Sequence, residues 1–159
     1  DELSPNGWKT VIDIVLNGTF NCSHALVKGW QEDNVSGGQI LNIVASYAWQ
    51  AGAGVAPSAA AKAGVLNLTR TLAVEWGYKY GARINAISPG PIERTGGADK
   101  LAMSPEHAER IRRNVPLGRF GTPEEIAGLA TWMLSDQASY LNGECIALDG
   151  GHWLNKQPF

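Results

Sequence analysis

Cysteine is scarce in this sequence. Only Cys22 and Cys145 occur, far apart and in no Cys-x-x-Cys spacing, which argues against a disulfide framework and reads instead as two reduced core residues. His24, His107 and His152 are equally scattered, so no metal site is expected. Charge of one sign is missing too. The 13 basic and 15 acidic residues are spread along the chain for a net charge of −2, which builds no basic face for a polyanion, and nucleic acid is not an expected partner. No apolar run approaches the roughly 18 residues that span a bilayer. The acidic start Asp1-Glu2 is unlike the basic opening of a signal peptide. A soluble, cytoplasmic protein without a membrane partner is the expectation.

What is present is a 44% hydrophobic content over 159 residues, enough for one core and too little chain for two domains. Ser4-Pro5 reads as an N-cap followed by a first-turn proline, and a helix is expected from about Asn6 to Gln31. Val11, Ile12, Ile14, Val15 and Leu16 cover more than one of its faces, so it should be buried broadly, inside the fold or against another subunit. Gly37-Gly38 marks a turn. Gln39 to Ala45 is short, apolar and β-rich, as in a covered parallel strand, and gives way at Ser46-Tyr47 to a glycine-bearing loop, Ala48 to Pro57. From Ser58 the residues Ala61, Val65, Leu68, Leu72 and Trp76 form one helical stripe that ends near Gly81. Arg83 to Ser88 reads as a second strand, stopped by Pro89-Gly90-Pro91, and the stretch to about Met103 as irregular. Ser104-Pro105-Glu106 opens a short helix. Thr122-Pro123-Glu124-Glu125 is a capping-box signal for the next, whose Ile126, Leu129, Ala130 and Met133 face the core. Asn142-Gly143 turns into a last strand, Glu144 to Leu148, before the tight turn Asp149-Gly150-Gly151. Helices alternating with strands predict an α/β fold with a parallel sheet.

One element of such a fold is missing. A doubly wound sheet that binds a dinucleotide starts with strand, glycine loop and helix, because loop amides and the helix N-terminus hold the pyrophosphate. Gly52-Ala53-Gly54 and Gly96-Gly97 are the only candidates, and neither sits in a strand-to-helix turn followed by a suitably spaced acidic residue. Either the fold is different or the first half of the domain is absent.

Three patterns in order decide between these. They are Ser58-Ala59-Ala60-Ala61-Lys62-Ala63-Gly64-Val65; Arg83-Ile84-Asn85-Ala86-Ile87-Ser88-Pro89-Gly90-Pro91-Ile92; and the capped helix with Ser135-Asp136, Asn142-Gly143 and Asp149-Gly150-Gly151. Together they resemble the second half of short-chain dehydrogenase/reductases over nearly the whole chain. The resemblance implies one partial domain over residues 1–159, the C-terminal half of a doubly wound, Rossmann-type parallel-sheet domain that lacks the N-terminal glycine loop. Most members of that family open the helix with Tyr-x-x-x-Lys, the tyrosine protonating a ketone oxygen. Here Ser58 stands at the tyrosine position, and Ala45 replaces the serine usual thirteen residues earlier. Ser58 and Lys62 still share a helix face, but an aliphatic hydroxyl is too weak an acid for the phenol's role. At those departures the chain is similar to the 2,4-dienoyl-CoA reductases, which carry Pro-Ser-x-x-x-Lys, as Pro57-Ser58 to Lys62 do here, and a tyrosine just after the strand, where Tyr47 lies. Ser4-Pro5-Asn6 with Trp8, Ile14 to Thr19, and Ala73-Val74-Glu75-Trp76-Gly77 match as well.

That resemblance implies reduction of a dienoyl thioester to a 3-enoyl-CoA with NADPH. Tyr47 would be one oxyanion donor, with an asparagine upstream of Asp1 as the second. Lys62 would hold the nicotinamide ribose, Ser58 would support by hydrogen bonding, and Pro89, Gly90, Pro91 and Ile92 would offer backbone groups to the carboxamide. Ser4 would touch the acyl-CoA, and Lys100 stands near the family's arginine for the CoA phosphates. A homotetramer is implied, built on the Asn6–Gln31 and Ser58–Tyr80 helices. Without the resemblance each residue has a plainer reading: Tyr47 packs, Lys62 is a solvated lysine, Ser58 is a helix N-cap, Pro89-Gly90-Pro91 breaks the chain and Lys100 is a surface charge. Two other functions stay open: reduction of another enoyl or carbonyl substrate, including 3-oxoacyl groups, and a catalytically silent or truncated chain acting as a binding or assembly module.

Overall fold

The computed structural model of the protein describes residues 2–96 and 104–155. Helix α1 (Pro5–Ile12) starts where the capping signal places it: the Ser4 hydroxyl accepts the Gly7 N–H at 3.0 Å, and Pro5 sits in the first turn. The long helix expected over Asn6–Gln31 is present but not uniform. A π-turn, Asp13–Asn17, interrupts it before α2 (Gly18–Glu32). Such an insertion rotates the following face relative to the preceding one. Here Val15 and Leu16 of the π-turn pack on Val44, Val65, Leu66 and Ala86. Leu16 also comes so close to Gly64 that an added Cβ there would meet its Cδ at 2.8 Å.

Three strands, β1 (Gln39–Ile43), β2 (Arg83–Pro89) and β3 (Cys145–Leu148), form one parallel sheet in the order β1-β2-β3. Ile43 pairs with Ile87, and Ala86 with Cys145. Parallel neighbours need a crossover between them. Helix α3 (Ala56–Tyr80) supplies the first, and α4 (Pro105–Asn114) and α5 (Pro123–Leu134) lie between β2 and β3. Helix α3 stops at Gly81, whose φ of +65° is left-handed and whose position lets Ala82 N–H return to the Trp76 carbonyl. No helix among the described residues is long and apolar enough to cross a membrane.

Alternation along β2 divides the core. Ile84 and Ala86 turn toward α3, Ile84 against Leu72, Ala73 and Ala82, and Ala86 against Val65 and Leu66. Ile87 points to the opposite face, where α5 packs and Met133 is buried. Each fully buried side chain of this size contributes roughly 1.5–3 kcal/mol. Two of the polar side chains inside are partnered with each other: Asn42 donates to Thr69 Oγ1 at 2.9 Å, and Thr69 to the Val65 carbonyl at 2.8 Å, whereas the Ser88 hydroxyl near the end of β2 is buried without a hydrogen-bond partner. Arg83 opens β2 and donates to the carbonyls of Met133, Leu141 and Ser135 and to Gln39 Oε1. It thereby ties α5 and the turn before β3 to the sheet. Asn142 completes the tie, accepting from Ile84 N–H and donating to the Ala73 carbonyl.

The capping box of α5 is formed as expected, with Thr122 and Glu125 exchanging bonds, and Glu125 also receives both Arg119 guanidinium nitrogens. Arg119, and then the Thr122 amide, hold the Glu125 carboxyl down from 4.5 to about 2. A depressed carboxylate contributes stability above its unfolded pKa and loses it as pH falls through the folded one. On α4, Glu109 is lowered to about 2 in the same way by Arg112 and Arg113. Stability of the protein containing this chain should therefore decline between pH 4.5 and about 2. Thermal melts against pH should show a shallower decline for Glu125→Gln. A variant that tracks the wild type across that window would contradict the assignment.

Candidate functional site

Ligands of open parallel sheets bind beyond the C-terminal ends of the strands, and most of the residues expected at the site gather there. After β1, Val44 adds one more ladder bond to the Ile87 carbonyl, and the extended Ala45 leads into a 3₁₀ turn, Ser46–Ala48. That turn is closed by Ala48 N–H to the Ala45 carbonyl and Gln50 N–H to the Ser46 carbonyl, with Gln50 Nε2 on Ser46 Oγ at 2.9 Å. It presents Tyr47, half-buried, beside α3.

Helix α3 begins at Ala56 with Val55 as its cap, so Ser58 is not the N-cap. Pro57 explains the difference: having no N–H, it belongs in the first turn, which carries Ser58 into the helix, half-buried. Lys62 follows one turn on. Its Nζ donates to the Ile43 carbonyl at 2.6 Å, reaching from α3 to the end of β1. Partial burial pushes its pKa below the usual lysine value. Lys62 is thus held at the strand end and is not a solvated helix lysine.

Pro89 ends β2, and Gly90 continues close to the neighbouring chain. An added Cβ at Gly90 would stand 2.6 Å from Asp149 Cα, a backbone clash that no side-chain movement relieves. Of the backbone groups expected to be offered by Pro89 to Ile92, several are used within the protein. Gly90 N–H donates to the Leu148 carbonyl at 3.0 Å, and the Pro91 carbonyl accepts from Gly121 N–H at 2.9 Å. Neither proline has an N–H. The Ile92 amide is the donor of that segment that takes no partner among the described residues. Behind it a cavity of about 60 Å³ is lined by Ile92, Leu117, Arg119, Ile126, Asp149 and Gly150, among others.

Ser4 stands apart from this group as the exposed cap of α1, with its Oγ engaged by Gly7 N–H. Lys100 lies outside the described residues. Three features of the region escaped the reading of the sequence. The π-turn carries no local signal beyond Asn17-Gly18 inside a helical pattern. Asp149, read only as part of a turn, accepts Gly151 N–H on one carboxylate oxygen at 2.9 Å and Trp153 N–H on the other at 2.8 Å. Trp153 in turn meets Trp49 edge to face, ring centroids 5.7 Å apart at 89°.

Comparison with known proteins gives this geometry a family. The family model described as enoyl-(acyl carrier protein) reductase matches residues 1–152. The chain belongs to the short-chain dehydrogenase/reductase family. A Bacillus subtilis member named a probable 2,4-dienoyl-CoA reductase, (2E)-enoyl-CoA-producing, is 66% identical over 159 residues, all of this chain and 62% of that protein. A Caenorhabditis elegans member named a probable 2,4-dienoyl-CoA reductase, (3E)-enoyl-CoA-producing, is 46% identical over 151 residues, 94% of this chain and 48% of its own length. Among solved structures, a Bacillus anthracis short-chain dehydrogenase superposes with a TM-score of 0.89 at 60% identity, covering 99% of this chain and 60% of that one. An Agrobacterium tumefaciens structure with bound NADP has a TM-score of 0.88 at 35% identity, covering 97% and 61%. A 4-hydroxyisoleucine dehydrogenase complexed with NADH has 0.89 at 32%, covering 98% and 63%. The chain thus spans about three fifths of the length of these short-chain dehydrogenases, or less. The parallel sheet flanked by helices is a partial domain of their Rossmann-like fold.

Proposed function

We propose that the chain forms the C-terminal part of an NADPH-dependent 2,4-dienoyl-CoA reductase. The observation that carries this reading is a helix lysine held on the end of β1 with a tyrosine on the turn that follows. Lys62 Nζ lies on the Ile43 carbonyl, Tyr47 stands on the turn that follows, and a serine occupies the position of the family's usual acid. A ketone reductase would need a phenol at position 58. The remainder of the domain, glycine loop included, would precede these elements. Two features support that: β1 is an edge of the sheet, and beside it runs a groove of about 490 Å³ lined by Ile14, Cys22, Leu26, Ile40 and Leu41, among others.

Two features at the strand ends support a nicotinamide dinucleotide there: Ile92 offers an amide and Lys62 brings a cation. When bound, NADPH supplies a hydride to the δ-carbon of the dienoyl thioester. Negative charge then moves through the diene to the thioester oxygen, where a preorganised donor stabilises it most. Tyr47 is that donor. Lys62 exchanges the Ile43 carbonyl for the ribose hydroxyls and adds positive charge, and Ser58, one turn before it, supports it. The resemblance assigns contact with the acyl-CoA to Ser4 and to Lys100. The preference for NADPH over NADH follows the dienoyl-CoA reductases that the sequence resembles. A cytoplasmic homotetramer completes the reading, supported by the apolar residues Ile14, Val74 and Tyr78 left exposed on the helices expected at the interface.

Protonation of the dienolate at the α-carbon gives the 3-enoyl-CoA, and this is the product we assign. The name of the B. subtilis relative favours a second product, the 2-enoyl-CoA, which results when the same dienolate is protonated at the γ-carbon. Turnover by the complete protein in D₂O separates them. Deuterium at the α-carbon with a 3,4 double bond is the expected result; deuterium at the γ-carbon with a 2,3 double bond would replace it with the other outcome.

A further inference from the structure

The Trp49–Trp153 pair has no part in the chemistry described above, yet it stands at the same end of the sheet. Trp49 lies two residues beyond Tyr47, and the loop it opens folds back, since a Cβ added to Gly52 would fall 3.9 Å from Tyr47 Cβ. Trp153 lies in a 3₁₀ turn, His152–Leu154, just after β3. Asp149 fixes that turn through Gly151 and Trp153 N–H, and Gly150 and Gly151 seat it against Val115, Pro116 and Leu117. Neighbouring strands lie about 4.8 Å apart, so β1 and β3 are separated by roughly 10 Å with β2 between them. The two indoles, one just past the turn that follows β1 and the other in the turn that follows β3, meet across that gap with centroids 5.7 Å apart. They form an apolar bridge between the segments that follow the two outer strands, Trp49 being two residues from Tyr47. Leu154 of the Trp153 turn and Leu117 beside Gly150 are both well exposed.

We propose that the Trp49–Trp153 pair is the wall against which the substrate's acyl chain lies, and that it sets selectivity for chain length. This rests on the reading of the site as a thioester reductase. An uncharged aromatic surface suits an alkyl chain and offers nothing to the phosphates of the CoA moiety. Both halves are anchored through the backbone, Trp153 N–H on the Asp149 carboxylate and Trp49 N–H on the Ser46 carbonyl at 3.1 Å.

The test compares wild type, Trp49→Ala and Trp49→Phe of the complete protein on trans-2,trans-4-hexadienoyl-CoA and trans-2,trans-4-decadienoyl-CoA. Each methylene lodged on an apolar surface is worth about tenfold or more in kcat/KM. Trp49→Ala should therefore lose at least about tenfold on the ten-carbon substrate and less than about threefold on the six-carbon one. Trp49→Phe should restore most of the loss, with KM for NADPH unmoved in both. An equal loss on the two chain lengths, or no loss, overturns the wall while leaving the dienoyl reading intact. No wild-type turnover of either substrate overturns both. If Trp49→Ala does not fold, tryptophan emission of the wild type and of the double variant Trp49→Phe, Trp153→Phe is titrated with decanoyl-CoA. A saturable change present only in the wild type supports the wall; the same change in both overturns it.

Discussion

Replacing Tyr47 by phenylalanine should lower kcat/KM for a trans-2,trans-4-dienoyl-CoA by about 10² to 10³, the usual cost of removing one oxyanion donor. The phenol is half-buried on a closed turn, so the ring of the variant keeps its place and only the hydroxyl is lost. Because its interaction strengthens as charge reaches the thioester oxygen, the loss should fall on kcat more than on KM. The melting temperature and the KM for NADPH should stay at wild-type values. Residual activity is expected from the second donor that the resemblance places upstream of Asp1. A loss below about threefold, against the range usual for such donors, would remove Tyr47 from the oxyanion and leave it a packing residue.

Arg83→Met should be the most damaging substitution for stability among the residues discussed. The guanidinium is half-buried at the start of β2 and serves three main-chain carbonyls and Gln39, joining elements up to 58 residues apart in sequence. Methionine keeps much of the stem's packing but leaves those acceptors without a donor. Hydrogen bonds to a charged group are worth about 1.5–3 kcal/mol each, and acceptors stranded in a part-buried site cost a similar amount. Some of the carbonyls will find water, so the net loss should be about 3 kcal/mol rather than the sum. For a domain larger than 150 residues this corresponds to a fall in Tm of about 6–12 °C. Urea or thermal unfolding of the complete protein measures it, with Arg83→Lys expected to recover only part because an ammonium cannot span the same fork. A variant within about 0.5 kcal/mol of wild type, the scatter of ordinary surface changes, would contradict the role.

The element boundaries were largely legible because the signals that set them are local. A serine before a proline, a threonine three residues before a glutamate and a glycine after a run of helix formers act within one turn of chain, and α1, α4, α5 and the end of α3 begin or stop at those marks. Only the plain reading of Ser58 as a cap fails, and for a local reason. Its type suits a cap, but the proline beside it fixes the register of the first turn and moves the cap back to Val55. What the sequence hid is what depends on packing between distant segments. Trp49 and Trp153 are each unremarkable in their local windows and meet only when β1 and β3 are aligned around β2. The reach of Lys62 to Ile43, the fan of bonds from Arg83 and the π-turn fitted against Gly64 are of the same kind. Tyr47, Lys62 and the Pro89–Ile92 segment, singled out by resemblance, lie at one end of the sheet; of the four backbone positions, the Ile92 amide is the donor without a partner among the described residues.

The substrate class is tested most directly by NADPH oxidation by the complete protein with a trans-2,trans-4-dienoyl-CoA and, in parallel, with a 3-oxoacyl-CoA of equal length. A dienoyl-CoA reductase should turn over the dienoyl thioester and leave the ketone at background, because Ser58 cannot serve as the acid that ketone reduction requires. Turnover of the 3-oxoacyl-CoA with no reaction of the dienoyl-CoA would contradict that assignment.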